Sequence, residues 1–276
     1  MTDWDNWIGR ETTASDVLTD AVVARFKATL GTDHTLGLHW CLCVPGVPTT
    51  RLGPDGHPVR GIDLPPIPLP RRMWAASDVQ FHAALTPGAA IVRRSIITAI
   101  TAKTGTTGPL VFVEITHETR ANGSLAVSER QTLVYRGAAA TTATPPPALA
   151  ADPAAEPAAE PGDWQRTFTP DAPLLFRYSA LTFNSHRIHY DLPYATATEG
   201  YFGLVVHGPL IATLLLDLAA QHVGAQCIAS LHFRGQSPAI AGEPLTLSGR
   251  TTGDTLILAA HAPAGAVMHA ELRFIA

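Results

Sequence analysis

Charge is scarce in this chain, and neither sign dominates. Only 15% of its 276 residues are Asp, Glu, Lys or Arg, and the net charge is −4. That balance leaves no electrostatic footprint for nucleic acid or an anionic membrane. No apolar run approaches the length of a bilayer span. The start, MTDWDNWIGRE, lacks the basic residues and apolar block of a secretory signal, so a cytoplasmic protein is expected. Cysteine is sparse and odd in number: Cys41, Cys43 and Cys227. Three cannot build a disulfide framework and suit a reducing compartment. Cys41-Leu42-Cys43 reads as two small buried residues on one face of an extended segment rather than a metal or redox pair. What the chain has in plenty is apolar material, 46%, enough for a sizeable core. Its length is comfortable for two domains.

The stretch from Phe176 to His222 concentrates the chemistry. The polar run Asn184-Ser-His186-Arg-Ile-His189-Tyr-Asp191 is crowded with groups that hold or move protons. Then Val205-Val206-His207-Gly208-Pro209 opens a segment that is apolar almost all round: Leu210, Ile211, Leu214, Leu215, Leu216 and Leu218. A helix apolar on most faces is buried. Gly208-Pro209 is a start signal, because proline at the first helical position loses no hydrogen bond, and Gly224 is a stop. Free N–H groups at such a start favour negative charge. Proton-handling side chains beside an oxyanion site suit chemistry on a carbonyl compound.

Before that stretch, Thr19-Asp20 caps a helix with Val22, Val23, Phe26 and Leu30 at helical spacing, ending at Gly31. Residues 32 to 74 are proline-rich and irregular. Period two follows: a strand beginning at Val79 and Phe81, another over Ile91–Ala102, then a hairpin of Val111–Ile115 and Leu125–Tyr135 turned at Asn122-Gly123. Residues 137 to 163 are Ala/Pro/Thr-rich and read as a linker. After Trp164 come the polar run, the buried helix and strands over Cys227–Arg234, Leu245–Gly249, Thr255–Ala260 and Val267–Ile275. Both halves run helix, then antiparallel strands: an α+β class. The expected units are 1–136, a linker 137–163, and 164–276.

The residues Phe176-Arg-Tyr-Ser-Ala-Leu-Thr-Phe-Asn-Ser-His-Arg-Ile-His-Tyr-Asp191 with Gly203-Leu-Val-Val-His-Gly-Pro-Leu210 resemble the hydratase-2 region of MaoC-like dehydratases. More narrowly they resemble the hydroxyacyl-thioester dehydratase type 2 and mesaconyl-C4-CoA (itaconyl-CoA) hydratase group. Trp7-Ile-Gly-Arg10, Leu52-Gly-Pro-Asp-Gly56, Leu69-Pro-Arg-Arg-Met-Trp74 and Lys103-Thr-Gly105 extend the likeness into the first half. The resemblance implies a double hotdog fold with the active site between two hotdogs, and reversible addition of water to the double bond of an acyl thioester. It implies an acyl-CoA substrate, with an acyl-carrier protein as the other carrier, pairing into homodimers, and no cofactor or metal.

By that resemblance His189 is the main proton carrier and Gly208 the backbone donor to the thioester carbonyl. Asn184 stands where many relatives have aspartate. An amide is no base, so Asn184 is expected to orient water, with Asp191 or His186 as alternatives for the missing role. His207 either contacts substrate or packs at the helix start. Tyr178 and Phe183 line the acyl pocket or belong to the core. Arg72 and Arg234, with Arg71, are weak candidates for CoA phosphates. The wrapping segment Leu36–Trp74 is expected to close the acyl end, with every catalytic group coming from the second half. Against a hydro-lyase stand a hotdog thioesterase, for which Asn184 is ill suited, and a non-catalytic acyl-thioester-binding protein.

Overall fold

The computed structural model of the chain describes residues 4–105, 108–137 and 163–275. The expected linker over 137–163 lies outside them except at its two end residues. Five strands precede it: β1 (Glu11–Val17), β2 (Arg71–Phe81), β3 (Ala90–Gly105), β4 (Gly108–Ala121) and β5 (Ser124–Arg136). Five follow: β6 (Trp164–Phe168), β7 (Ile228–Gly235), β8 (Leu245–Thr252), β9 (Thr255–Ala262) and β10 (Gly265–Phe274). All join one 10-stranded sheet in the order β1-β3-β4-β5-β2-β7-β10-β9-β8-β6. Read outward from the middle, each half repeats the same order, and the halves meet where β2 pairs antiparallel with β7, Ala76 opposite Arg234. This is the double hotdog that the resemblance implied.

Helix α3 (Gly208–Val223) lies against β7 to β10. Its residues from Leu210 to Ala219 are buried without a break, which is why the sequence there shows no polar face. Pro209 sits in its first turn and Gly224, at φ 83°, ends it. The first half has only α1 (Asp20–Leu30), where Thr19 Oγ1 accepts a hydrogen bond from Val22 N at 3.2 Å and Gly31 turns left-handed at φ 69°. No long helix follows it. Residues 32 to 70 instead wrap across the sheet, interrupted by single turns at Leu38–Cys41 and Thr49–Arg51.

That difference shapes the interior. On the inner face of the second half, Leu247, Leu258 and Ala270 pack against α3. On the matching face of the first half, alternation and register bring Arg93 and Ser95 of β3, His117 of β4, and Glu129 and Gln131 of β5 together. With no helix covering it, this face borders a cavity.

Two sequence readings need correction, and two elements, β1 and a helix before the polar run, went unread. Val79 and Phe81 end β2 rather than begin it; the strand starts at Arg71, and a bulge between Trp74 and Ala76 breaks its alternation. Strand β1 shows no hydrophobic alternation because it is an edge strand whose residues are mostly exposed. Residues Ala172–Thr182 form a helix, α2, capped by Asp171. Cys41 and Cys43 do not share an extended segment: Cys41 ends a helical turn and Cys43 has φ 50°.

Candidate active site

The polar run is placed by the end of α2. Phe183 takes a left-handed conformation, φ 49°, and its N–H closes onto Ser179 O. The next residue, Asn184, is thereby turned into a cavity of about 400 Å³ between the two halves. Its Oδ1 accepts from His186 N at 3.0 Å. With the oxygen so occupied, the amide presents its nitrogen, a donor. Phe183 itself is 59% exposed and turns the chain rather than lining the cavity.

His189 follows on a single helical turn, Arg187–His189. Its Nδ1 lies 2.7 Å from Val205 O, so Nδ1 donates and Nε2 keeps its lone pair. The ring lies 3.5 Å from the ring of His207, nearly parallel to it. His207 caps the start of α3 and holds Ser179 Oγ at 2.8 Å through Nε2. Both imidazoles line the cavity, as does Gly208 immediately beyond them. Burial is the main reason that both titrate low. His189 is brought to about 4, with His57 adding to the effect and the Val205 hydrogen bond opposing it. His207 is held well below the ordinary histidine value by burial and His189. The site therefore offers neutral imidazole at neutral pH, beside the amide end of a buried helix.

The remaining sequence candidates divide cleanly. Arg72 lines the cavity. Arg71 does not; it is buried in an ion pair with Glu199 at 2.6 Å. Arg234 lies on β7, exposed to solvent and outside the cavity lining. Tyr178 is fully buried behind His207, 5.1 Å between ring centres. Asp191 is engaged by Arg187 at 2.7 Å and by Tyr194 N. His186 stays at the cavity, with its pKa pushed far down by burial and by the surrounding cations and histidines.

Two groups at the cavity went unnoticed in the sequence. One is the Asp55-His57 pair on the wrap, of which only the Leu52–Gly56 likeness was marked. The other is the polar inner face of the first half. Arg93 is held by Thr119 Oγ1 at 3.2 Å through Nε and by His39 O through Nη2. His117 bridges Ser95 Oγ at 2.8 Å and Gln131 Oε1 at 3.4 Å. Glu129 accepts from Ser77 Oγ at 2.6 Å and from Trp40 Nε1 at 3.2 Å. Alternating polar residues on a strand ordinarily mean a solvated face, which hid them.

The arrangement is that of a hotdog fold with two neutral imidazoles, an amide and a helix start at one cavity. Solved structures agree on the fold. A MaoC-like dehydratase from Phytophthora capsici aligns over 99% of this chain and 98% of its own, with TM-score 0.74 and 14% identity. A Mycobacterium tuberculosis protein described as a double hotdog aligns over 97% of this chain and 96% of its own, with TM-score 0.57 and 16% identity. In sequence, the family model for hydroxyacyl-thioester dehydratase type 2 matches residues 37–241. The mesaconyl-C(4)-CoA hydratase of Chloroflexus aurantiacus is 42% identical over 273 residues, 96% of this chain and 95% of that protein. The chain belongs to the hydroxyacyl-thioester dehydratase type 2 family, and is an enzyme of the hydro-lyase class acting on acyl thioesters.

Proposed function

We propose that the protein hydrates a short enoyl-CoA bearing a second carboxylate, mesaconyl-C4-CoA or a close analogue, with His189 carrying protons. In this reading the thioester oxygen rests against the free N–H of Gly208 while enolate character develops. His189 Nε2 serves the carbon chain. Asn184 Nδ2 donates to the water or to the hydroxyl it becomes. The first half supplies the acyl end of the pocket.

Arg93 carries the substrate assignment. Its guanidinium bonds only neutral oxygens, Nη1 makes no hydrogen bond among the described residues, and no carboxylate lies within 4.0 Å. A half-buried cation that Glu129 offsets only from beyond that distance keeps attraction to spare for an anion. One at a cavity wall, with His117 and Gln131 beside it, matches a carboxylate at the far end of a short acyl chain. The name of the 42% identical relative points the same way.

The test is loss of enoyl-thioester absorbance on crotonyl-, mesaconyl-C4- and longer or aromatic enoyl-CoAs. Mesaconyl-C4-CoA is expected to be the best substrate, and His189→Ala to abolish turnover. Losing one charge-assisted bidentate contact, worth about 1.5–3 kcal/mol, should make Arg93→Met raise KM roughly 10- to 100-fold for mesaconyl-C4-CoA and leave crotonyl-CoA unchanged. Equal losses on both substrates would remove the carboxylate assignment. Tight acyl-CoA binding with no turnover on any substrate would favour a binding protein.

A further inference from the structure

Asn184 leaves the second half without a carboxylate where many relatives have one, and the first half brings an imidazole backed by a carboxylate to the same cavity. The turn around Gly56 is docked through its backbone carbonyls on the loop that carries Asn184, His186 and His189. Arg187 N donates to Asp55 O at 2.9 Å, Ser185 Oγ donates to Gly56 O at 2.5 Å, and Arg187 Nη1 donates to Pro54 O at 3.0 Å. Gly56 has φ +87°, and a Cβ there would stand 1.9 Å from Ser185 O. Only glycine permits that approach.

What this turn delivers is a carboxylate–imidazole pair. Asp55 Oδ1 accepts from His57 N at 3.0 Å, and Oδ2 lies 3.3 Å from His57 Nδ1. The proton therefore sits on Nδ1, and Nε2 keeps a lone pair. His57 lines the cavity. Its ring centre is 4.1 Å from that of His186, which in turn is 5.5 Å from that of His189.

We propose that His57, oriented by Asp55, is a second catalytic proton carrier of the hydration reaction and is supplied by the first half. The proposal rests on the hydratase reading above, and it replaces the expectation that every catalytic group comes from the second half. In hydration, water gives one proton to His57 Nε2 as its oxygen bonds to the β-carbon. The π pair moves to the thioester oxygen at Gly208. Asp55 stabilises the imidazolium so formed. A proton is handed on in turn to His189, which delivers it to the α-carbon as the enolate collapses. One water is consumed and both imidazoles return to neutral. Burial and Arg72 hold His57 down to about 4 against the pull of Asp55, so it begins each cycle neutral.

The test uses the full chain with His57→Ala, His57→Gln and Asp55→Asn. Three quantities are measured: kcat and KM for hydration, exchange of the α-proton of the hydrated mesaconyl-C4-CoA product into D2O, and recovery of His57→Ala with added imidazole. Loss of a general acid–base should lower kcat about 10²- to 10⁴-fold, with KM within about threefold. The α-proton exchange, which needs only His189 and Gly208, should persist, and imidazole should restore part of the rate. Wild-type kcat in His57→Gln would overturn the proposal. So would parallel loss of exchange and hydration without rescue, which is the signature of a structural role. The donor atoms of Asp55, His57 and His186 lie within 4.8 Å of one another, so a copurifying metal whose removal abolishes wild-type turnover would also overturn it. If wild type itself does not hydrate any thioester, the underlying hydratase reading falls first, and the two failures are thereby distinguished.

Discussion

His189 sits against a backbone carbonyl on one side and an imidazole face on the other, and both fix how it works. Val205 O selects the tautomer, while burial holds the titration down to about 4. The active form is the neutral ring, so kcat/KM for hydration is expected to stay flat from about pH 8 to pH 5. It should fall near pH 4, where His189 and, on the proposal above, His57 take up protons. A pH–rate profile under conditions where circular dichroism shows the fold intact checks this. An acid limb near pH 6.5, the ordinary histidine value, would show that the ring is not buried during turnover. The family resemblance singled out His189, Asn184 and Gly208, the last also through the glycine-proline helix start, and the structure brings all three to one cavity. His57 was not legible, because its signal is tertiary. Only a glycine that must accept Ser185 O at its Cα brings the wrap to the polar run, and no local period reports such an approach.

At the level of elements, strong local chemistry was readable and edges were not. The start and stop of α3, the cap of α1 and the Asn122-Gly123 hairpin all appear at the residues that predict them. Strand β1 escaped notice because an exposed edge needs no apolar alternation. Asp217 shows how the elements are then held in place. It lies on the buried helix α3 and receives Arg166 of β6 at 2.8 Å, with His34 of the first-half wrap 3.3 Å away. Burial raises its pKa, but His34, Arg166 and Thr32 together bring it down to about 2. A carboxyl depressed in the folded state contributes stability above its unfolded value, near 3.9. That contribution is lost as pH falls through about 2. Asp217→Asn should therefore cost about 1–3 kcal/mol at neutral pH and flatten the loss of stability between about pH 4 and pH 2. Urea unfolding across that range checks both. A mutant curve parallel to wild type at every pH would show that Asp217 is not the titrating staple.

Across the whole molecule the two halves share their main core, beside a smaller cluster confined to the first half. Phe26, Leu38 and Trp40 belong to the same buried cluster as Leu210, Leu215 and Phe233. Heating is expected to give one calorimetric transition whose van't Hoff and calorimetric enthalpies agree. Leu215→Ala should lower that single transition by an amount equivalent to about 2–5 kcal/mol. Two resolved transitions, only one of which moves in the mutant, would instead establish independent domains. Among the described residues no helix is long and apolar enough to cross a membrane. The repeated topology was anticipated from the matching order of elements, yet its asymmetry was only half visible: the proline-rich wrap was marked as irregular, with no hint of the polar wall left exposed behind it. The missing helix makes the fold adaptable. In the second half, a change to an inner-face leucine disturbs packing against α3. In the first half, Gln131 and His117 face open space, so exchanging them reshapes the chamber without unseating a helix. Substrate range can drift on one half of the sheet while the reacting loop stays under separate selection beside the other half, and a lineage can diversify in acyl preference without reinventing its chemistry.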